Sequence, residues 1–192
     1  MKNKLFPFIL ILVGILLTAV SAGLLISDHI QRNAMAADIP GIVKKIEAAL
    51  PERSAGIIEK RADNTMPSVE IDKTDFIGLL ALPERNITLP VGAVWDSSGR
   101  GFRPAKFLGS VYDGSLIIGG AFQTGNFDFA DKLEVGEKIT FTDMTGRVFR
   151  YTVGRISHSD NAKAETLRDS DYELTLFVKK ENAFLILRCN AA

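Results

Sequence analysis

The strongest constraint on the fold is a series of short apolar segments that begins at Val69. Clusters of Gly, Asp, Asn and Ser separate them, as in DSSGRG and DMTG, and such clusters favour turns. Several strand-length segments at this spacing predict a small antiparallel or mixed β-barrel, and they argue against a doubly wound sheet. The predicted strands are Phe76–Leu82, Ile87–Val91, Leu116–Gly119, Lys138–Thr142, Val148–Ile156, Tyr172–Val178 and Ala183–Cys189.

The N-terminal part of the chain contains an uncharged run over residues 5–26, LFPFILILVGILLTAVSAGLLI. A helix needs about 20 apolar residues to cross a bilayer, so the run predicts a single-pass transmembrane anchor. Lys2 and Lys4 precede it, and no acid occurs before Asp28. The positive-inside rule then places residues 1–4 in the cytoplasm and the C-terminal domain outside the cell membrane. A cleaved signal peptide is the alternative, because residues 34–36, AMA, have the small-residue spacing of a cleavage site.

Residues 27–68 are predicted to form a stalk helix and a linker, ahead of a barrel domain over residues 69–192. Asp38 is the predicted N-cap, Pro40 lies in the first turn, and Pro51 ends the helix. A polar linker follows over residues 59–68. The apolar residues of the helix recur at spacings of three and four, which predicts a single apolar stripe of Ile39, Ile42, Val43, Ile46 and Leu50.

Composition excludes several classes of function. Acids and bases balance at 23 each, so no basic excess is available to attract nucleic acid. The chain lacks the spacing of a phosphate loop, a zinc site or a nucleophile elbow, and no cofactor is expected. Calcium on the loop over residues 157–171 is conceivable, but the acids there lack an ordered ligand spacing, which favours a plain exposed loop. These acids are Asp160, Glu165, Asp169 and Asp171.

Four segments occur in an order that resembles one known family. They are FIGLLALPERNITLPV, FLGSVYDGSLIIGG, FADKLEVGEKITFTDMTGRVFRYTV and LTLFVKKENAFLILRC. Through them the chain from Val69 to Cys189 resembles the sortases, the membrane-anchored cysteine transpeptidases of Gram-positive bacteria that attach proteins to the cell wall. The resemblance implies a mainly β fold, an eight-stranded barrel with short helices.

The resemblance also implies a site with three reacting side chains. In sortases a cysteine attacks a carbonyl of the sorting-signal peptide, a histidine moves protons, and an arginine donates hydrogen bonds to the substrate. The arginine position falls on Arg188, in the strand that closes the last hairpin. The histidine position falls on Ala121, in IIGGAFQTG, and the cysteine position falls on Lys179, in TLFVK. The chain is therefore similar to a degenerate sortase that lacks two of the three groups.

Two residues outside these positions are the possible substitutes, Cys189 and His158. Cys189 is the only cysteine and closes the apolar run AFLIL, so we expect it to be buried. Because neighbouring strand residues point to opposite faces, a site-facing Arg188 implies that Cys189 points away. His158 is predicted to follow a strand and to begin the loop over residues 157–171.

The geometry of the last hairpin can also be predicted. A two-residue turn at residues 181–182 would set Thr175 opposite Arg188. Lys179 would then lie roughly 13 Å from Arg188, at about 3.3 Å per residue. A nucleophilic lysine needs burial or cationic neighbours to lower its pKa, and a turn position such as that of Lys179 argues against burial.

The function expected from these observations is that of a sortase-like pseudoenzyme at the outer face of the cell membrane. Its expected partners are a sorting-signal peptide, a surface protein or an active sortase, in an accessory role in surface-protein or pilus assembly without transpeptidation. Two alternatives stay open. One is an active cysteine transpeptidase with relocated residues, and the other is a purely structural envelope protein whose cleft is filled.

Overall fold

The structure, a computed structural model, describes residues 5–51, 64–96, 103–169, 171–181 and 183–192. The chain divides into two compact units, residues 1–35 and residues 36–192. Two 3₁₀ turns, Pro83–Arg85 and Ala130–Lys132, accompany the helices and strands. In chain order the elements of the described residues are α1 (Leu5–Ala49), β1 (Val69–Ile71), β2 (Thr74–Leu82), β3 (Ile87–Gly92), β4 (Ala105–Leu108), β5 (Leu116–Ala121), β6 (Lys138–Asp143), β7 (Val148–Ser159), α2 (Ala164–Leu167), β8 (Leu174–Lys179) and β9 (Phe184–Ala191).

The strands form a closed barrel. Eight of them are hydrogen-bonded in the order β2-β3-β4-β5-β8-β9-β7-β6, and β6 pairs back with β2. The ninth, β1, extends the sheet as a hairpin on β2. Two pairs are parallel, β3 with β4 and β5 with β8, and the others are antiparallel. The predicted mainly β, eight-stranded barrel with short helices is confirmed.

All seven predicted strands are present, with ends that differ by up to three residues. Strands β1 and β4 were not predicted, because segments of three and four residues are too short to show an alternation. The segment FADKLEV contains the 3₁₀ turn Ala130–Lys132. The predicted linker lies outside the described residues over 59–63.

Helix α1 differs from the predicted stalk helix at its beginning. It does not begin at Asp38, because the helix is continuous from Leu5 through Pro40 to Ala49. Its C-terminal end agrees with the helix-stopping role predicted for Pro51. Within the second unit, the buried Ile42 and Ile46 pack in one cluster with Phe76 of β2. Burial of this apolar stripe offsets the backbone hydrogen bond that a proline inside a helix forgoes.

The predicted transmembrane anchor requires a correction. Residues 5–26 are part of α1 and are helical. In the described part of the chain, however, no helix reaches the combination of length and hydropathy that a membrane crossing requires.

Gly78 lies at an irregularity of β2 where the neighbouring strand β6 approaches closely. Its φ is +154°, and a register shift separates Phe76 from Gly78 in the pairing of β2 with β3. A Cβ at this position would lie 2.1 Å from the carbonyl oxygen of Thr142, on the neighbouring strand β6. Backbone atoms cannot move aside as a flexible side chain does, so this close approach requires glycine.

We expect Gly78→Ala to lower the free energy of unfolding by at least about 2 kcal/mol, because the substitution adds backbone strain and displaces β6. Denaturant titration followed by circular dichroism measures the change. Gly92→Ala is the matched control, since Gly92 is also a strand glycine of the same sheet and a Cβ there would meet nothing closer than 3.4 Å. Equal losses in both variants would contradict a specific need for glycine at position 78.

A bidentate ion pair fastens the β2–β3 turn to the segment before β6. Arg85 Nε donates to Glu137 Oε2 at 2.7 Å, and Arg85 Nη2 donates to the other carboxylate oxygen. The Glu134 N–H donates to Glu137 Oε1 at 2.8 Å. The Arg85 hydrogen bonds lower the pKa of Glu137 below its usual value, with a smaller contribution from the Glu134 amide.

We therefore expect Glu137→Gln to lower stability at pH 7 by about 1–2 kcal/mol, because a charge-assisted pair is lost. A lowered folded-state pKa stabilises the protein above the unfolded value of 4.5, and this contribution is lost as the pH falls through the folded pKa. The gap between wild type and variant should therefore shrink below that pH. Thermal unfolding from pH 3 to pH 7 measures it, with the exposed Glu134→Gln as the control expected to stay within about 0.5 kcal/mol of wild type.

Candidate functional site

The candidate site lies on the outer face of the wall formed by β5, β8 and β9. Register partners in adjacent strands share a face, and alternate residues along each strand share it too. One face therefore carries three rows across the three strands, while the residues between them point into the barrel core. The outer rows are Ile117–Thr175–Arg188, Gly119–Phe177–Ile186 and Ala121–Lys179–Phe184.

Ala121 and Lys179, which the resemblance assigns to the histidine and cysteine positions, are direct register partners. Neighbouring strands are about 4.8 Å apart, so these positions are close enough for two side chains to interact. The alanine carries no titratable group, and the Lys179 side chain is exposed. The adjacent Lys180 forms an ion pair with Asp131, and its Nζ lies 4.6 Å from the centre of the Phe122 ring.

Arg188 lies on the same face but at the other end of the wall. It is the register partner of Thr175, while Lys179 pairs with Phe184, so the predicted hairpin register is confirmed. Four residues along a strand place Arg188 roughly 13 Å from the Lys179 row. The Lys180 N–H donates to the Ala183 carbonyl at 2.9 Å, in agreement with the short turn, although Asn182 lies outside the described residues.

The Arg188 guanidinium is held by the loop between β7 and β8. Its Nη2 donates to the Thr166 carbonyl at 2.9 Å, and its Nε lies 3.3 Å from Asp169 Oδ2. The Arg188 side chain is only 12 % exposed. A nearly buried cation is costly without partners, and these two contacts offset that cost only in part, because Arg188 Nε is buried and has no hydrogen-bond acceptor in the described part of the chain.

An aromatic cluster covers the middle of the outer face. The fully buried Phe177 side chain packs edge-on against Trp95, with ring centres 5.2 Å apart, and against Phe107 at 5.3 Å. The loop residue Leu167 is also fully buried in this cluster. We call the group the outer-face cluster, and it consists of Ile117, Leu167, Phe177 and Ile186, with Trp95, Phe107, Leu108, Ala162 and Phe184 packed around them.

The glycine pair of IIGGAF accommodates one aromatic ring on each face of β5. A Cβ on Gly119 would lie 2.3 Å from the Phe177 ring, and one on Gly120 would lie 2.1 Å from the Phe127 ring. Phe177 belongs to the outer-face cluster and Phe127 belongs to the barrel core. The two glycines therefore allow an aromatic ring to pack directly on each face of β5.

The substitute residues lie elsewhere. Cys189 is fully buried in the barrel core, as expected, and burial raises the pKa of its thiol to about 12. His158 belongs to strand β7, where it pairs with Leu185, so the prediction that it begins the loop is wrong. The strand extends to Ser159 because pairing with β9 continues that far. Four residues separate Leu185 from Cys189, which places the exposed His158 roughly 13 Å from the thiol row.

Two of the acids of the loop over residues 157–171 make contacts within the protein. Asp169 contacts Arg188, and the N–H of Asp171 donates to Asp169 Oδ1 at 3.2 Å. No three His, Cys, Asp or Glu side chains in the described parts of the chain are grouped closely enough to hold a metal ion.

Comparison with known proteins finds similar solved structures, but no matching family model or curated protein. No protein-family model matches the chain, and no curated protein matches it. Solved structures, in contrast, do match the chain. Sortase C1 from Streptococcus agalactiae has a TM-score of 0.55 at 20 % identity, over 73 % of this chain and 79 % of that one. Sortase A from Corynebacterium diphtheriae has a TM-score of 0.53 at 15 % identity, over 84 % and 92 %. Sortase C from Clostridium perfringens has a TM-score of 0.51 at 17 % identity, over 62 % and 70 %.

The fold is sortase-like. This confirms the fold that the four sequence segments implied, while the identities of 15–20 % leave function to be argued from the site itself. Sequence reasoning missed Thr166, Leu167 and Asp169 as partners of this site. The one available signal was Leu167, an isolated large apolar residue in the polar stretch NAKAETLRDSD.

We expect the Cys189 thiol to resist alkylation in the folded protein. With its pKa raised to about 12, the thiolate is a very small fraction at pH 8, and the surrounding core blocks access. Labelling with iodoacetamide at pH 8, followed by mass spectrometry, should give one adduct in denaturant and essentially none without it. Equal labelling rates in both conditions would contradict the burial of this residue.

Proposed function

We propose that this chain is a sortase-like pseudoenzyme that acts by binding a peptide or protein and not by transpeptidation. One observation carries the proposal. The two positions that the resemblance assigns to the reacting histidine and cysteine are adjacent in the sheet, yet they hold Ala121 and an exposed Lys179. An alanine transfers no proton, and an exposed lysine lacks the burial that would make its amine a nucleophile.

The surroundings support a role without catalysis. Arg188 is engaged by Thr166 and Asp169, so in this state it donates to the protein's own loop. Cys189 points into the core, where its raised pKa keeps it protonated. These contacts argue against the alternative of an active transpeptidase with relocated residues.

The proposed binding partners are those that the sequence resemblance implies. A sorting-signal peptide, a surface protein or an active sortase would present an extended segment to the outer face of β5, β8 and β9. The localisation predicted from the sequence, at the outer face of the cell membrane, stays a prediction.

A purely structural role is the second candidate, and it is favoured by the outer-face cluster. Phe177 and Leu167 are fully buried there, so the protein's own side chains occupy the middle of the face. On this alternative the filled face is only a second small core, and no ligand binds to it. Peptide binding without turnover separates the two candidates.

We expect no cleavage of sorting-signal peptides and no acyl adduct on Cys189. Loss of a nucleophile and its proton carrier costs on the order of 10⁶-fold in rate. Mass spectrometry after incubation with a peptide panel measures cleavage, and the fluorescence of Trp95, the only tryptophan, measures binding. Binding without cleavage supports the proposal, whereas the absence of both supports the structural alternative. Cleavage that disappears in Cys189→Ala would overturn the pseudoenzyme assignment.

The double variant Ala121→His, Lys179→Cys tests whether these two side chains alone are enough for transpeptidation. Because positions 121 and 179 are register partners, the introduced imidazole and thiol should interact, and the new thiol should alkylate readily at pH 7. Transfer of the peptide should still be absent, since Arg188 lies roughly 13 Å along the wall. Transpeptidation by this variant would show that only the two side chains were missing.

A further inference from the structure

Strand β7 extends beyond the strand that pairs with one of its edges. Residues 148–152 pair with β6, whereas pairing with β9 on the opposite edge continues to the end of β7. On the β6 side, the Val153 N–H donates to the Glu137 carbonyl, and the Val153 carbonyl accepts from the Gly136 N–H. Beyond Val153, no backbone group in the described part of the chain pairs with this edge. We call this side of residues 154–159 the free edge of β7.

The phase of the last hairpin determines which backbone groups the free edge carries. Residues along an antiparallel strand bond alternately to one neighbouring strand and to the other. Counted from the hydrogen bond that closes the β8–β9 turn, this alternation directs the backbone groups of Ile186 to β7, where its partner is Ser157. Ile156 and His158, on either side of Ser157, therefore present their N–H and C=O groups to the free edge. Unpaired backbone groups are costly away from water, so this edge either stays hydrated or binds another strand.

An uncompensated positive charge lies on the free edge. Arg155 is exposed and has no ion pair in the described part of the chain. Its register partner on β9 is Arg188, and like charges directly opposite each other are unfavourable. The nearby Asp169 faces Arg188, the more buried of the two cations. A carboxylate on a strand added at the free edge would lie directly opposite Arg155 and offset this repulsion.

Apolar side chains are available along the same edge. Ile156 is half-buried and packs against the barrel core. Val135 is 63 % exposed, and it directly precedes Gly136, which bonds to β7 where the free edge begins. An added strand would remove more of this apolar surface from water. Because the side-chain period of a strand is two, such a strand would place acidic side chains on one face and apolar side chains on the other.

We propose that the free edge of β7 binds an extended segment of a partner protein in which acidic side chains alternate with apolar ones. The segment adds a strand to the sheet through backbone hydrogen bonds with Ile156 and His158. An acidic side chain lies opposite Arg155, and an apolar side chain covers Ile156. A second copy of this chain is disfavoured as the occupant, because it would bring the same cation to the edge twice. This edge is separate from the outer face of β5, β8 and β9, so the proposal does not rest on the proposed function.

The free edge is tested first without any partner. Residue-resolved hydrogen exchange of the full chain, followed by NMR, should show rapid exchange of the Ile156 and His158 amides. The amides of Ser157 and Ser159, which are directed to β9, should exchange at least about a hundredfold more slowly. Equal protection of all four amides would show that the edge is already covered and would overturn the proposal. Protection of Ile156 and His158 that rises with protein concentration would identify a second copy as the occupant and would overturn it as well.

A peptide probe then tests the chemistry of the partner. The probe is a synthetic peptide of alternating glutamate and valine, and the control peptide has lysine in place of glutamate. We expect titration calorimetry to show binding of the glutamate peptide, about tenfold weaker to Arg155→Gln, and a preference for the lysine peptide in Arg155→Glu. Arg150→Gln is the matched control, because Arg150 is exposed on the same strand but lies in the part that pairs with β6. Failure of the glutamate peptide to bind wild type, or equal losses in Arg155→Gln and Arg150→Gln, would overturn the proposal.

Backbone pairing is tested separately from charge. His158→Pro removes one N–H from the free edge and no hydrogen bond to β9, whereas His158→Ala keeps that N–H. We expect the proline variant to bind the glutamate peptide at least about tenfold more weakly than the alanine variant. Two N-methylated forms of the probe repeat the test on the wild-type protein, each methylated at alternate amides. One form should lose binding, and the other should stay within about threefold of the unmodified peptide, because only one set of amides faces β7. Equal binding of the two forms would show that the peptide adds no strand.

Discussion

Both faces of the wall depend on one constraint, the strand pairing that sets which side chains they carry. Strand β5 pairs in parallel with β8, and β8 pairs with β9 in an antiparallel hairpin. The register joins Ile117 to Thr175 and Thr175 to Arg188, so every second residue of three strands shares one side. Because the side-chain period is two, a slip of one residue would move Cys189 out of the core and Phe177 into it. The buried side chains on both faces prevent such a slip.

The outer face has the character of a second, smaller core. In a barrel of this kind a wall that binds a ligand must leave apolar or polar groups accessible, and here the central positions are occupied by Phe177 and Leu167. Gly119 gives the Phe177 ring room to lie on the strand. Internal contacts on this face therefore already bury the apolar area that a ligand would otherwise cover.

Much of the architecture could be predicted from the amino-acid sequence alone. Alternation over six or more residues predicted the longer strands, and a short turn after Lys179 predicted that Thr175 faces Arg188. The beginning of the helix was predicted wrongly, since the capping signal of Asp38 and Pro40 has no effect in a helix that continues through them. Local signals fail there because the preceding turns already supply the hydrogen-bonding geometry that a cap would provide.

The barrel strands and the register of the last hairpin, with Lys179 near its turn, follow from the amino-acid sequence alone, because they depend on residue identity and on spacing along one strand or hairpin. The contacts of Arg188 and the side chains that cover Phe177 are visible only in the folded structure. Thr166 is 22 residues from Arg188 in the chain, and no periodicity links a loop to a distant strand. Those contacts form because the loop between β7 and β8 folds over the wall. Burial of Leu167 and the ion pair of Asp169 with Arg188 fix the position of that loop.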